Sequence, residues 1–311
     1  MKYPIKTIFM GTPAFVLPAF EVLVKDERFD VVACYTQPDR PVGRSGAPLP
    51  PPVKVRAQKH DVPVYQPEKI GKTTIEQIRM LNPDLIIVFA YSQILPKELL
   101  DIPKYKCVNI HPSLLPRWRG ASPITFAILE GDEKAGVSYM LMDEKLDHGP
   151  IIKQFEIQVS DKDDAESLLK NLSKIAADNL AATLIDYIEG HIKPKPQDHG
   201  QAVYSRTLSR EDARIDFTKP AIEIERQVRA LRPWPGTYFE WDNRRIKVLD
   251  LRLSEDEKLE SGHTKKIDDK LLIGTGQGNI ELKIIQPEGK KEMDVIEFLN
   301  GNPSFADTIL K

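Results

Sequence analysis

Cys107-Val-Asn-Ile-His-Pro-Ser-Leu-Leu-Pro-Arg-Trp-Arg-Gly120 opens as a short apolar run and stops abruptly at proline. Val108 and Ile110 alternate with Asn109 and His111, so a strand here points two aliphatic side chains one way and an amide and an imidazole the other. Pro112 steers His111 away from the helical region and Pro116 stiffens the segment beyond it, so the strand ends at the imidazole and a loop begins. An amide that can donate a hydrogen bond beside an imidazole that can carry a proton suits a reaction passing through a tetrahedral oxyanion. Polar residues at strand ends also serve local structure by bonding nearby backbone, and an Asn-x-His pair by itself fits either use.

Upstream the same rhythm recurs. Lys6 to Met10 is an apolar run closed by Gly11-Thr12-Pro13, and Phe15 to Lys25 carries helical spacing. Val31 to Thr36 supplies another strand, Lys72 to Leu81 a helix, and the unbroken run Leu85 to Phe89 a strand covered on both faces. Strands alternating with helices predict an α/β fold with a doubly wound, mostly parallel sheet, Rossmann-like in outline. Such sheets bind ligands beyond the carboxyl ends of their strands, and the loops at Gly11, Gln37, Ala90 and His111 all lie there. Thr12, Pro13 and Ala14 stand where a dinucleotide fingerprint needs glycines, which disfavours a nicotinamide-type cofactor.

A chain of 311 residues has room for two cores, and 41% hydrophobic with 29% charged residues is an ordinary soluble balance. The N-terminal residues lack the basic, apolar and small-residue succession of a signal peptide, and no apolar run approaches the ~20 residues of a membrane span. A cytoplasmic location with no membrane partner is expected. Cys34 and Cys107 sit in apolar runs without a CxxC pairing, so buried reduced thiols are expected, and the six histidines lack ligand spacing, so no metal is. A net charge of −2 argues against a surface coated in positive charge but leaves room for a local RNA-binding patch.

Asp163 to Gly190 carries apolar residues at helical spacing from Leu168 to Ile188, with Gly190 placed to cap the end. It is expected to close a first domain, residues 1–190. Residues 191–203, with His191-Ile-Lys-Pro-Lys-Pro-Gln-Asp-His-Gly200, have the punctuation of a linker whose Lys193 and Lys195 could meet RNA. Beyond it, residues 204–311 combine one helix at Ala221 to Leu231 with short strands broken by turns, which suggests a small β-barrel. Arg244-Arg245, Lys265-Lys266 and Lys290-Lys291 are candidate phosphate contacts there, though most such pairs are simply solvated. Gln37 to Pro52 is too rich in proline and glycine for the interior of a helix or sheet and is expected to be a long mobile loop.

Asn-Ile-His-Pro-Ser-Leu-Leu-Pro followed by Arg-Trp-Arg-Gly120 resembles the signature of the folate-dependent formyltransferase family, and Met142-Asp-Glu-Lys-Leu-Asp147-His-Gly-Pro150 resembles its second motif. The resemblance implies catalytic roles for Asn109, His111 and Asp147: the amide stabilises the formyl oxygen, the imidazole stabilises it as a cation or relays the proton of the attacking amine, and the carboxylate orients the imidazole and favours its charged form. It also implies that Ala90, Tyr91, Ser92, Gln93, Ile94 and Leu95 hold the folate through backbone groups, and that Ser113, Leu114, Leu115 and Pro116 also bind it. Ser92 stands where the family usually carries glycine. The acceptor is expected near Gly11, Thr12 and Pro13. Pro38 to Gly43, continued by Arg44, resembles an insertion found in the branch of the family that formylates methionyl-tRNA, where it reaches over the acceptor end of the tRNA, although Ser45, Gly46 and Ala47 replace lysines seen in some relatives. Arg40 and Arg44 carry that expectation. Arg229-Ala-Leu-Arg-Pro-Trp-Pro-Gly236 resembles the start of the same branch's second, OB-like barrel domain.

The resemblance thus implies transfer of a formyl group from 10-formyltetrahydrofolate to charged initiator tRNA, by a monomer with no metal and no DNA partner. Formylation of an amino sugar nucleotide, hydrolysis of the formyl donor, and a non-catalytic binding protein on the same fold are the competing readings. The first two share the catalytic domain. The third is opposed by the intact triplet of Asn109, His111 and Asp147.

Overall fold

The computed structural model describes residues 3–41 and 48–310. Two compact units make up the chain: the first takes in Met1–Pro123, Ala135–Gln158 and Leu169–Ser205, the second Ile124–Lys134, Val159–Leu168 and Arg206–Lys311.

Up to the site loop the elements are β1 (Ile5–Gly11), α1 (Leu17–Lys25), β2 (Phe29–Tyr35), β3 (Arg40–Pro41), β4 (Pro48–Leu49), α2 (Pro52–Lys59), β5 (Val64–Tyr65), α3 (Lys72–Leu81), β6 (Leu85–Phe89), α4 (Lys97–Leu100), β7 (Cys107–His111) and β8 (Arg119–Gly120). They are followed by α5 (Pro123–Leu129), β9 (Lys134–Leu141), β10 (Ile151–Gln158), α6 (Ala165–Ile188) and β11 (Tyr204–Ser205). The first unit's sheet runs in the order β10-β9-β7-β6-β1-β2-β5. β2 and β6 flank β1 in parallel, and β7 is parallel to β6. The chain therefore winds outward from β1 through β2 to β5, then crosses to the other side of β1 at β6. That reversal opens a crevice at the carboxyl ends of β1 and β6, where such sheets bind ligands. Gly11 faces Phe89 across it. A Cβ at Gly11 would lie 2.7 Å from the Phe9 ring and 2.8 Å from the Phe89 carbonyl oxygen, so only glycine closes this strand end.

All five residues of β6 are buried, as an unbroken apolar run in a two-sided sheet requires. α3, β6 and β7 have the bounds their patterns predict. Of the stretch expected as one mobile loop, the described residues at its two ends are ordered. Arg40 pairs with Leu49 and Pro41 with Pro48, and Pro52 begins α2, where its missing N–H costs nothing. Val42 to Ala47, including Arg44, lie outside the described residues.

The second unit adds α7 (Ala221–Ala230), β12 (Thr237–Trp241), β13 (Arg244–Ser254), β14 (Thr264–Ile267), β15 (Lys270–Gly274), β16 (Asn279–Pro287), β17 (Met293–Asp294) and α8 (Val295–Gly301). Its antiparallel sheet runs β12-β13-β16-β15-β14, with β17 also on β16. Asp242 and Asn243, both with φ near +50°, form the tight turn of the β12–β13 hairpin. Phe239, Phe305 and Ile224 pack in its core.

α1 is tied to α2 through one carboxylate. Burial pushes the Glu21 carboxyl up, but Arg56, Lys25 and His60, at 2.6, 2.9 and 2.9 Å, outweigh that and bring it from its ordinary 4.5 to about 2. A depressed carboxylate contributes stability above its unfolded value and loses it as pH falls toward the folded one. Glu21→Gln should therefore cost about 2 kcal/mol at neutral pH after solvent screening and flatten the acid limb between about pH 4.5 and 2. Urea unfolding against pH measures both; parallel wild-type and variant curves would refute the pairing.

Candidate active site

β7 brings Asn109 and His111 to one face, as the period-two alternation requires, and β9 runs antiparallel beside it with Ser138 opposite His111. The turn after β9 returns Asp147 to that face. Its Oδ1 accepts from Asn109 Nδ2 at 3.2 Å and lies 3.7 Å from His111 Nδ1, while its Oδ2 accepts from the Gly120 N–H at 2.9 Å. The three residues expected to share a centre are thus together, His111 and Asp147 both largely shielded from water.

His111 Nε2 stands 2.9 Å from the Trp118 carbonyl oxygen. A carbonyl only accepts, so Nε2 carries a proton, and in the neutral ring Nδ1 is the basic nitrogen facing the carboxylate. Trp118 presents that carbonyl from a left-handed backbone, φ +60°, rare for a bulky residue and held here by its burial and by Arg117 stacked 4.3 Å above the ring. Ser138 Oγ fixes the loop between them, accepting from Leu115 N and donating to the Ser113 carbonyl.

Behind the site lies a polar cluster that sequence reasoning missed. Arg119, 1% exposed, donates to Gln197, Tyr204 and His199. His199 stacks on His148 at 3.9 Å; desolvation first, then His148, Arg119 and Lys145, hold its imidazole below the ordinary value against the opposing pull of Asp143. The segment read as a linker is bound here as well, through Gln197 and through the mutual backbone bonds of Lys195 and Ile151.

Residues 5–184 match the model of the formyl transferase family, and residues 207–303 that of the formyl transferase C-terminal domain. The methionyl-tRNA formyltransferase of Streptococcus thermophilus is 42% identical over 298 residues, covering 95% of each chain. That of Halorhodospira halophila is 41% identical over 95% of this chain and 96% of its own. The chain belongs to the methionyl-tRNA formyltransferase family. Among solved structures, the sugar 3N-formyl transferase WlaRD, crystallised with dTDP and 5-N-formyl-THF, shares the fold with a TM-score of 0.67 at 19% identity, over 93% of this chain and all of that one. HypX from Aquifex aeolicus in complex with tetrahydrofolic acid does so with a TM-score of 0.62 at 16% identity, over 96% of this chain and 47% of that one.

The loop after β6 holds two residues, neither of them glycine, with positive φ. Ser92 has φ +64° and Ala90 φ +49°, so both adopt the left-handed conformation without glycine's freedom. The loop is tied down from below: Gln93 accepts from Ile70 N and donates to the Pro67 carbonyl, and Gln37 donates to the Tyr91 carbonyl. Tyr91 and Leu95 turn into the core, whereas Ile94 is 88% exposed. Ser113 and Leu115 are buried, and Pro116, after a cis bond from Leu115, accepts from Val203 N. Leu114 is half-buried. At the crevice, Thr12 Oγ1 accepts from Gln37 N at 3.4 Å and Pro13 is half-buried, while Arg40 is exposed.

A glycine at position 92 tests the strain. Ser92→Gly should raise stability by about 0.5–1 kcal/mol, the left-handed penalty less the extra unfolded-state freedom. Chemical denaturation measures it, and a loss of stability would show that Ser92 makes a compensating bond.

Proposed function

We propose that this chain transfers the formyl group of 10-formyltetrahydrofolate to the α-amino group of methionyl initiator tRNA, with Asn109, His111 and Asp147 as the reacting centre. The convergence of Asn109 Nδ2 and His111 Nδ1 on one Asp147 oxygen carries this reading. Asn109 has two N–H groups and spends one on Asp147; the other can meet the formyl oxygen as it gains negative charge. The amine attacks neutral and must shed a proton. His111 accepts it at Nδ1, because Nε2–H is committed to the Trp118 carbonyl, the Asp147 carboxylate stabilises the resulting imidazolium, and the proton is then passed to N10 as the N10–formyl bond breaks and tetrahydrofolate leaves.

The folate fits the crevice loop on two grounds. The left-handed residues Ala90 and Ser92 turn the backbone sharply at the end of β6, and Ile94 offers an exposed apolar surface to a flat ring. Ala90 to Leu95 and Ser113 to Pro116 would hold it, chiefly through backbone groups, since several of their side chains face the core. Gly11, Thr12 and Pro13 border the acceptor's methionyl end, and Arg40 with Arg44 contacts tRNA phosphate. In this reading residues 1–190 form the catalytic domain, 191–203 connect it, and 204–311 form the tRNA-binding domain. No helix among the described residues is long and apolar enough to cross a membrane. The working species is taken to be a cytoplasmic monomer that engages neither membrane nor DNA.

Asn109→Ala and His111→Ala should each lower turnover at least ~100-fold in formylation of charged initiator tRNA, with folding intact. Near-normal turnover in both folded variants would dismiss the centre. Asp147→Asn keeps shape but removes the charge facing Nδ1, so turnover should fall and the pH–rate profile change.

Neutralising Arg40 and Arg44 should weaken binding of charged initiator tRNA and leave folate binding intact. For each phosphate no longer engaged, the slope of log-affinity against log-salt should become shallower by about 0.7 to 0.9. Unchanged tRNA affinity and slope would assign those arginines to solvent.

A further inference from the structure

We infer that Gln197 is a positioning residue for Asp147, anchored by the buried guanidinium of Arg119. The inference rests on the reading of Asp147 as part of the reacting centre. Gln197 is 6% exposed, and every hydrogen-bonding position of its amide is filled: Nε2 donates to the Asp147 carbonyl at 2.9 Å and to the Gly149 carbonyl at 2.8 Å, while Oε1 accepts from Arg119 Nε at 3.1 Å and Nη2 at 2.7 Å. Two carbonyl acceptors on one end and a guanidinium donor on the other leave the amide a single orientation. One side chain thus grips both ends of the turn Asp147-His148-Gly149.

That turn needs gripping. Asp147 has φ +46°, a conformation an aspartate tolerates but does not prefer, and the direction of its carboxylate follows from it. Gly149 is pressed against β9, where a Cβ would collide with the Leu141 carbonyl oxygen, so the turn is held from one side by the sheet and from the other by Gln197. Arg119 is itself fixed. Its backbone N–H donates to the Val203 carbonyl, β8 pairs with β11 through Arg119 and Tyr204, and its remaining side-chain donors reach the Tyr204 hydroxyl at 3.2 Å and His199 Nδ1 at 2.9 Å. The residue after it, Gly120, gives its N–H to the Asp147 carboxylate. Arg119 therefore reaches Asp147 twice, through the Gln197 amide to the backbone and through its own neighbour to the side chain.

Such an arrangement acts on the rate, not on binding. Tilting the Asp147 carboxylate away from Asn109 and His111 removes alignment needed as charge develops, and misplacement of about 1 Å at such a centre costs on the order of 100-fold. Gln197→Glu is the informative variant. It keeps the shape and gives Arg119 an ionic partner, but replaces both donors to the turn with an acceptor facing two carbonyls.

The experiment is a double-mutant cycle of Gln197→Glu with Asp147→Asn, assayed for formyl transfer to charged initiator tRNA, with thermal unfolding recorded for every variant. Gln197→Glu alone should lower kcat about 10- to 100-fold while KM for both substrates moves less than about threefold. In the Asp147→Asn background the same change should cost less than about threefold, because the group it positions is already disabled. A purely structural role predicts an equal loss in both backgrounds, and that result, or wild-type kcat in Gln197→Glu, would overturn the inference. Should Gln197→Glu not fold, Gln197→Ala replaces it in the same cycle under the same criteria. If Asp147→Asn alone keeps wild-type turnover, the reading of the centre has failed; if Asp147→Asn is impaired and the cycle is additive, only the role of Gln197 has.

Discussion

A carboxylate shielded from water must have its charge met by donors, because leaving it unpaired costs more than most single interactions return. Asp147 is such a group, and its surroundings answer that demand with the Asn109 amide and the Gly120 N–H as donors, while the His111 imidazole stands 3.7 Å away, placed to meet the charge once it gains a second proton. The two donors come from β7 and from β8 beyond the proline-rich loop, and the far nitrogen of the ring is already committed to Trp118. The carboxylate is therefore where strand β7, the proline-rich loop and the turn after β9 are forced into register with one another.

The price of that convergence is local backbone strain. Ala90, Ser92, Trp118 and Asp147 all have positive φ and all lie in loops following the strands around the crevice. At roughly 1–2 kcal/mol each, they would consume a sizeable part of a domain's net stability of about 5–15 kcal/mol unless the surroundings over-determined them. The supports are visible: Gln93 and Gln37 pin the loop after β6, Ser138 pins the proline loop, and Gln197 pins the turn at Asp147. Strain of this sort fixes the directions of polar groups that a relaxed loop would leave free.

Which parts were legible in the sequence depends on the range of the interactions concerned. β6 and α3 announce themselves because five consecutive apolar residues and a clean helical period are local signals. Asn109 and His111 share a face by the period of a strand, again a local fact. β9 escaped because Lys134 to Leu141 includes Gly136 and Ser138, and its strand character comes from partners: Gly136 leaves room for Leu114 and the Phe155 carbonyl, and Ser138 bonds the proline loop. β14 escaped for a related reason, since Lys265 and Lys266 read as charge and not as strand. Asp147 lies 38 residues from Asn109, and no periodicity reaches that far; only the family motif pointed to it. Gln197 is harder still, because it sits in a Pro-Lys-Pro-Gln-Asp stretch whose composition is that of a linker, while its partner Arg119 is 78 residues away.

The buried Arg119 shows why composition misled there. Its charge is solvated by a carboxamide, a hydroxyl and an imidazole nitrogen instead of by an acid, and Gln197, Tyr204 and His199 all come from the segment between Gln197 and Tyr204. A guanidinium with five fixed donors can order such a stretch without any apolar contribution from it. Polar, proline-broken sequence thus becomes well-placed structure because a distant cation supplies the constraint. The same cation stands behind Asp147 by two routes, so a stretch with the composition of a linker holds, through Gln197, the backbone of the residue whose carboxylate Gly120 meets.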